Sequence, residues 1–295
     1  MTVQDRVQLI SDNTNLNLNT KITTAKIEIT GVCTFKCHFC YQNIMIAKNE
    51  RQKFMTDTEF NQVLEYLKLY PDLKEVGLFY MGESGLHPNL AQYYKQLKKL
   101  GYFTYLTTNG TCLESVKQAI PYIDSLKVSF NYLLNGSNDI HEITRTNYIP
   151  ITKIIDNINI FAKECKKYNT EFALSTVIDE SKYNKESHSK TMDYLFPNIF
   201  HYYIPLQTQG GYNNKGLGGV VGETESKVNQ IPCWSLFKGL YIDADLNVRT
   251  CCYGHTDKHI LGNIKDMKVV NKKELLQQHL SNQIPDICKE CIKNK

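Results

Sequence analysis

From residue 22 to about residue 206 the sequence alternates short β-rich runs with amphipathic helical runs, and no other feature constrains the fold as tightly. KITTAKIEIT (21–30), EVGLFYM (75–81), YFTYLTT (102–108), SLKVSF (125–130), EFALSTVI (171–178) and HYYIPL (201–206) read as strands. Between them, Thr56 and Glu59 form a capping box ahead of Phe60, Val63, Leu64 and Leu67 at helical spacing. Pro88 opens a helix with Leu90, Tyr93, Tyr94 and Leu97 on one face, and Gly101 stops it. Further helices are expected over Cys112 to Ile120, Ile151 to Cys165 and Tyr183 to Leu195. Cys165 falls in register with Ile151, Ile154, Ile155, Ile158 and Ala162, which marks it as core packing. Strands alternating with helices build a parallel sheet with right-handed crossovers. Six such units fall short of the eight of a closed barrel. The expectation is an α/β fold, a partial (β/α)6 TIM-like barrel.

The remaining segments divide the 295 residues further. Residues 1–21 are a polar lead-in, 22–209 the barrel, 210–230 a glycine-rich loop, and 231–295 a cysteine-rich tail with a β-hairpin and a helix. Hydrophobic residues at 42% and charged residues at 22% fit a folded domain, not a disordered one. The net charge of +4 comes from 34 basic and 30 acidic residues scattered along the chain, so neither nucleic acid nor a membrane surface is an expected partner. No apolar run reaches the roughly 18–20 residues that cross a bilayer, and the first twenty residues lack a signal core. A cytoplasmic protein is expected.

Ten cysteines in such a protein point to metal or redox chemistry rather than staples. Cys33, Cys37 and Cys40 are spaced Cys-x3-Cys-x2-Cys directly after the first strand. Three thiolates this close can hold three irons of a cubane and leave the fourth open. Zinc with His38 as a fourth ligand is the alternative, at an uncommon spacing. Parallel α/β folds gather reactive groups at the carboxyl ends of their strands. Tyr80–Glu83, Thr107–Gly110 and Ser129–Asn131 end the next three strands, so they share one mouth with the cysteine loop. The tail carries Cys233, Cys251, Cys252, Cys288 and Cys291, with a hairpin turning at Asp245–Asn247 and a closing Cys-x2-Cys. That plan suits a four-thiolate site for iron–sulfur or zinc. Cys112 reads as core with a place at the mouth as the alternative, and alternation sends only one of Tyr202 and Tyr203 inward.

Over residues 22–206 the chain resembles the radical SAM superfamily in motif order and spacing. The Cys-x3-Cys-x-aromatic-Cys signature is met by Cys33, Cys37, Phe39 and Cys40. The resemblance implies a [4Fe-4S] cluster whose open iron chelates S-adenosylmethionine, with Phe39 near the adenine. Met81-Gly82-Glu83 is similar to the family's Gly-Gly-Glu motif with the first glycine replaced, which makes Glu83 the acceptor for the methionyl amine. Ser129 and Asn131 resemble the fourth-strand residues that contact the ribose or carboxylate, with plain turn chemistry as the alternative. Arg145 resembles an arginine some relatives use on the cofactor carboxylate, with a solvated surface arginine as the alternative.

The tail resembles the SPASM/twitch extension of the same enzymes, in its shorter form with one auxiliary [4Fe-4S] cluster. Cys233, Cys251, Cys288 and Cys291 are the implied ligands; Cys252 either replaces Cys251 or stays a free thiol. The implied activity is reductive cleavage of S-adenosylmethionine and hydrogen abstraction from a substrate, with flavodoxin or ferredoxin as electron donor. The expected net reaction is oxidation of a small alcohol, an aminocyclitol or sugar. The alternatives are a maturase of a ribosomally made peptide and, from another class, a non-catalytic zinc-binding module.

Overall fold

The computed structural model describes residues 16–37, 40–131, 149–178, 184–205, 233–266 and 269–288. Six parallel strands follow one another in the sheet: β1 (Thr24–Ile27), β2 (Glu75–Gly77), β3 (Phe103–Thr108), β4 (Ser125–Ser129), β5 (Glu171–Ile178) and β6 (Phe200–Pro205). The helices between them are α1 (Gln42–Lys48), α2 (Asp57–Leu67), α3 (Leu90–Lys99), α4 (Leu113–Ala119), α5 (Ile151–Tyr168) and α6 (Lys185–Leu195). This is the expected α/β architecture, and its apolar stripes lie where periodicity puts them. In α2 the Thr56 hydroxyl accepts the Glu59 N–H while the Glu59 carboxylate accepts the Thr56 N–H, and Phe60, Val63, Leu64 and Leu67 are buried. In α3 Leu90, Tyr93, Tyr94 and Leu97 are buried, and Gly101 follows at φ 84°, a left-handed position that glycine takes without cost. Cys165 is fully buried, as its register requires.

Several boundaries differ for physical reasons. The run over 75–81 leaves the ladder after Gly77, because the Leu78 N–H donates to the Tyr94 hydroxyl at 3.2 Å instead of to a neighbouring strand. Helix α1 lacks a periodic sequence signal and is closed by Asn49 in the left-handed region at φ 54°. Helix α6 begins at Lys185, where the Asn184 side chain caps the Ser187 N–H.

The tail does not stand apart from the barrel sheet. After the short helix α7 (Trp234–Lys238), strand β7 (Gly239–Ile242) runs parallel to β1, in register Thr24 with Gly239 through Ile27 with Ile242. Strands β8 (Asn247–Arg249) and β9 (Ile260–Asn263) then add antiparallel, giving nine strands in the order β6-β5-β4-β3-β2-β1-β7-β8-β9. The expected hairpin is therefore present, gains a third strand, and is laid directly beside the strand that launches the first cysteine loop. Helix α8 (Lys273–Leu280) packs Leu276 against Leu236 and Phe237 of α7. No helix among the described residues is long and apolar enough to cross a membrane.

Candidate active site

The cysteine loop leaves β1 through Gly31 and is held by its neighbours on both sides. Asn109, in the turn after β3, donates its side-chain amide to the Thr34 hydroxyl at 2.9 Å and approaches the Cys33 thiol at 3.7 Å. The Asn43 amide donates to the Cys37 carbonyl at 3.1 Å. In the segment after β2 the Glu83 N–H donates to the Val32 carbonyl at 2.8 Å. Gly82 lies so close to this loop that a Cβ there would stand 2.1 Å from the Thr30 carbonyl oxygen. The loop and the Met81-Gly82-Glu83 segment thus meet backbone to backbone.

Burial pushes the Cys33 thiol up to about 12, with the Glu83 charge adding to it, and the Cys40 thiol up to about 11. Cys37 is driven well above its ordinary range by burial and then by the charges of Cys40 and Cys33. Three half-buried thiols that resist ionising together are a donor set suited to a cationic partner, since metal binding displaces their protons. Among the described residues no three His, Cys, Asp or Glu side chains converge on a point where a single ion would sit. A cubane takes one thiolate per iron, so its ligands need not converge.

Glu83 is 3% exposed and firmly placed. Its Oε1 accepts from the Gly85 N–H at 2.9 Å and the Thr108 hydroxyl at 2.7 Å, and its Oε2 accepts from the Asn109 N–H at 2.7 Å. Of the roughly four acceptor sites of a carboxylate, one on Oε2 is left for a further donor. Burial raises its pKa above the ordinary 4.5, against the pull of these bonds. Asn131 accepts the Val177 N–H on its side-chain oxygen at 2.9 Å, which ties the end of β4 to β5. Ser129 is half-buried at the end of β4, paired in register with Ser175. Cys112 is half-buried against the core next to Gly85, with burial raising its thiol to about 11. The Tyr203 hydroxyl meets His188 Nδ1 of α6 at 2.7 Å, so Tyr203 faces the helix layer. Tyr202 therefore takes the barrel-interior face, 5.7 Å from Lys127 Nζ to its ring centre. Phe39, Arg145 and Cys291 lie outside the described residues.

The tail brings its Cys251 segment up to the same mouth. Cys233 begins α7, and burial followed by the charge of Cys252 raises its thiol. The Ser235 hydroxyl donates to the Cys252 sulfur at 3.3 Å, and His279 Nε2 lies 3.4 Å from the Cys288 sulfur. Tyr80 links the two regions: its hydroxyl donates to the Cys251 carbonyl at 2.9 Å, with the Gly254 carbonyl at 3.4 Å. His255 stacks on Tyr41, the residue after Cys40, at 5.0 Å between ring centres. Burial, then the charges of Arg51, Arg249 and His259, hold that imidazole neutral, well below its ordinary pKa.

Beneath them, Arg51 pairs with Glu28 at 3.2 Å and Arg249 with Asp243 at 2.6 Å, all four side chains 5% exposed or less. Glu28 also accepts the Ala244 N–H at 3.3 Å. Burial lifts its carboxyl to about 7, against the pull of Arg51. Tyr80, His255, Arg51 and Ser235 carry no sequence signal for these roles, because each partner is remote in the chain or set by a loop.

Residues 27–180 match the radical SAM superfamily, and residues 233–292 match the SPASM iron–sulfur cluster-binding domain. This chain belongs to the radical SAM superfamily. A Methanocaldococcus jannaschii protein named as a glycyl-radical enzyme activating enzyme is 27% identical over 169 residues, 56% of this chain and 58% of that protein. A Pyrococcus furiosus protein, named as the cofactor-modifying protein of a tungsten-containing aldehyde ferredoxin oxidoreductase, is 28% identical over 87 residues, 30% of this chain and 24% of its own. The chain thus spans less than two thirds of either curated relative. Among solved structures, BtrN in complex with AdoMet and 2-DOIA superposes with a TM-score of 0.56 at 13% identity, covering 92% of both chains. The structure of anSMEcpe with AdoMet and a Cp18Cys peptide gives 0.58 at 16% identity, covering 91% of this chain and 86% of that one. Those likenesses establish the fold of this radical SAM protein. Membership with a SPASM domain brings S-adenosylmethionine and [4Fe-4S] clusters as its cofactors.

Proposed function

We propose that this radical SAM enzyme carries out a net oxidation, the dehydrogenation of a small alcohol such as an aminocyclitol or sugar. In this reading Cys33, Cys37 and Cys40 hold the first cluster, and Cys233, Cys251, Cys288 and Cys291 hold the auxiliary one. With S-adenosylmethionine bound, the first cluster would supply the electron that splits it into methionine and a 5′-deoxyadenosyl radical, and the auxiliary cluster would supply an electron acceptor. The carbinol carbon loses a hydrogen atom to that radical, its hydroxyl loses a proton, and one electron leaves the substrate. One electron enters and one leaves per turnover, so the balance closes at a carbonyl product.

The observation that carries this reading is the hydrogen bond from Tyr80 to the Cys251 carbonyl. Tyr80 is two residues before Gly82, so the segment expected to bind the cofactor and the segment bearing the auxiliary cysteines share a wall of the barrel mouth. An acceptor so placed suits removal of an electron from a substrate radical at that mouth. The chain's own residues do the remaining work. Glu83 orients the methionyl amine, Asn109 fixes Cys33, and the aromatic side of the interior, with Tyr202, keeps water from the radical.

The test compares the parent enzyme with Cys288→Ala/Cys291→Ala after anaerobic reconstitution. Iron is expected to fall from about eight to about four per chain. The variant, once reduced, should still form 5′-deoxyadenosine from S-adenosylmethionine but yield no oxidised product. Four irons in both proteins, or oxidised product from the variant, would sink the proposal. Modification of a ribosomally made peptide is the second reading, favoured by the likeness to anSMEcpe with its bound peptide. It predicts a peptide rather than an alcohol among the substrates that stimulate cleavage.

The Glu83 assignment makes a separate prediction. A hydrogen bond from an amine to an ionised carboxylate is worth about 1.5–3 kcal/mol, so Glu83→Gln should weaken S-adenosylmethionine binding about tenfold or more. In the parent, ionised Glu83 is the binding form, and burial puts its pKa above 4.5. Affinity should therefore fall as pH drops through that raised pKa, whereas the Gln variant stays flat. Anaerobic calorimetry from pH 8 to pH 5 reads both.

A further inference from the structure

Lys272 is a buried cation with no carboxylate beside it. The residue is 6% exposed, and its ammonium donates to three backbone carbonyls: Leu236 at 3.2 Å, Gly239 at 2.7 Å and Thr250 at 3.2 Å. Those bonds use all three donors of a lysine. They satisfy its protons but leave its unit charge uncompensated, which is costly in a low-dielectric interior. Among the described residues it forms no salt bridge, and the groups whose negative charge would offset it are the Cys251 and Cys233 sulfurs once they are ionised. The three carbonyls belong to the segments bearing those cysteines. Thr250 precedes Cys251, and Leu236 and Gly239 lie in and just after the helix that Cys233 begins. Nζ also stands 5.9 Å from the centre of the Tyr241 ring.

We propose that Lys272 is the built-in counter-charge of the auxiliary cluster, a positioning residue that ties its ligand segments together and raises its reduction potential. Adding an electron to a thiolate-bound cluster adds a negative charge. A fixed ammonium nearby favours that reduced form, and the interior screens it weakly. The same lysine thus makes the cluster a better acceptor, whether the substrate is an alcohol or a peptide.

The test is a one-electron reductive titration of the reconstituted full-length enzyme with dithionite and mediators, followed by electron paramagnetic resonance. The radical SAM cluster in the same molecule is the internal control. In Lys272→Met the auxiliary cluster's reduced-to-oxidised ratio at a fixed potential should drop about tenfold, a shift of about 59 mV, with the control unmoved. Lys272→Arg, which keeps the charge, should stay within about twofold of the parent. The proposal is overturned if the Met variant stays within twofold, if both clusters shift together, or if Arg shifts as far as Met. Should the Met variant fail to retain the auxiliary cluster, Lys272→Gln and Lys272→Arg decide. Iron kept by Arg and lost by Gln supports the charge, and iron lost by both overturns it. If Gln keeps its iron, its potential is read in place of Met.

Discussion

Gly82→Ala is expected to lower formation of 5′-deoxyadenosine by about 100-fold or more while leaving the secondary structure intact. The added Cβ would lie 2.1 Å from the Thr30 carbonyl oxygen, 2.7 Å from that of Val32 and 2.9 Å from the Gly31 carbonyl carbon. All three neighbours are backbone at the root of the cysteine loop, so no side chain can swing aside. Relief requires the loop and the Met81–Glu83 segment to part by about 1 Å, and misplacements of that size cost about 100-fold in well-aligned sites. The parting also stretches the bond from the Glu83 N–H to the Val32 carbonyl, which moves the carboxylate relative to the cysteine loop. Gly262→Ala is the control, because nothing lies within 4 Å of a Cβ built there. Circular dichroism, iron content and anaerobic turnover of S-adenosylmethionine, measured on both variants, check the prediction. Parent-like cleavage by Gly82→Ala would show that the close approach does not set the geometry of the site.

Arg51→Met is expected to lower the unfolding midpoint by about 10 °C, from a loss of about 3–5 kcal/mol. Arg51 and Glu28 have side chains 1% and 0% exposed, so removing the guanidinium strands a carboxylate where water cannot reach it. The carboxylate's other partner on that side is the Ala244 N–H, a single neutral donor at 3.3 Å. Glu28 already has its pKa lifted to about 7, and without Arg51 the lift is larger. An acid whose folded pKa exceeds its unfolded one holds its proton in the native state and releases it on unfolding. Its stability contribution is therefore lost as pH rises, and the gap between variant and parent should widen from pH 6 to pH 8. Glu28→Gln/Arg51→Met removes both charges and should recover most of the loss. Thermal denaturation at several pH values distinguishes this outcome from simple loss of packing, which would be independent of pH.

These two sites differ in how they could be read from the chain. Gly82 and Glu83 stand in a motif at the end of a strand pattern, and the cysteine loop is recognisable from spacing alone, because cysteines within eight consecutive residues need no tertiary fold to be neighbours. The faces of the helices over 57–67 and 90–99 follow from local periodicity, and the capping box at Thr56 forms within four residues. Arg51, by contrast, looks like an ordinary charge in a polar stretch. Its role rests on Glu28, just after β1, and on Ala244, 216 residues beyond Glu28. Lys272 is equally silent in the sequence, since its partners are backbone carbonyls up to 36 residues away.

The sequence by itself determined the α/β alternation, the two cysteine groups and the membership of the radical SAM superfamily, because each is written in short-range patterns of residue type. Only the tertiary structure decided that β7 lies parallel beside β1, that Tyr80 reaches the Cys251 carbonyl and that Tyr202 rather than Tyr203 faces the interior. Strand pairing depends on hydrogen-bond register between segments more than 200 residues apart, and the inward face of an edge strand depends on which helix covers its other side. Neither is encoded by the spacing of residues along a single segment.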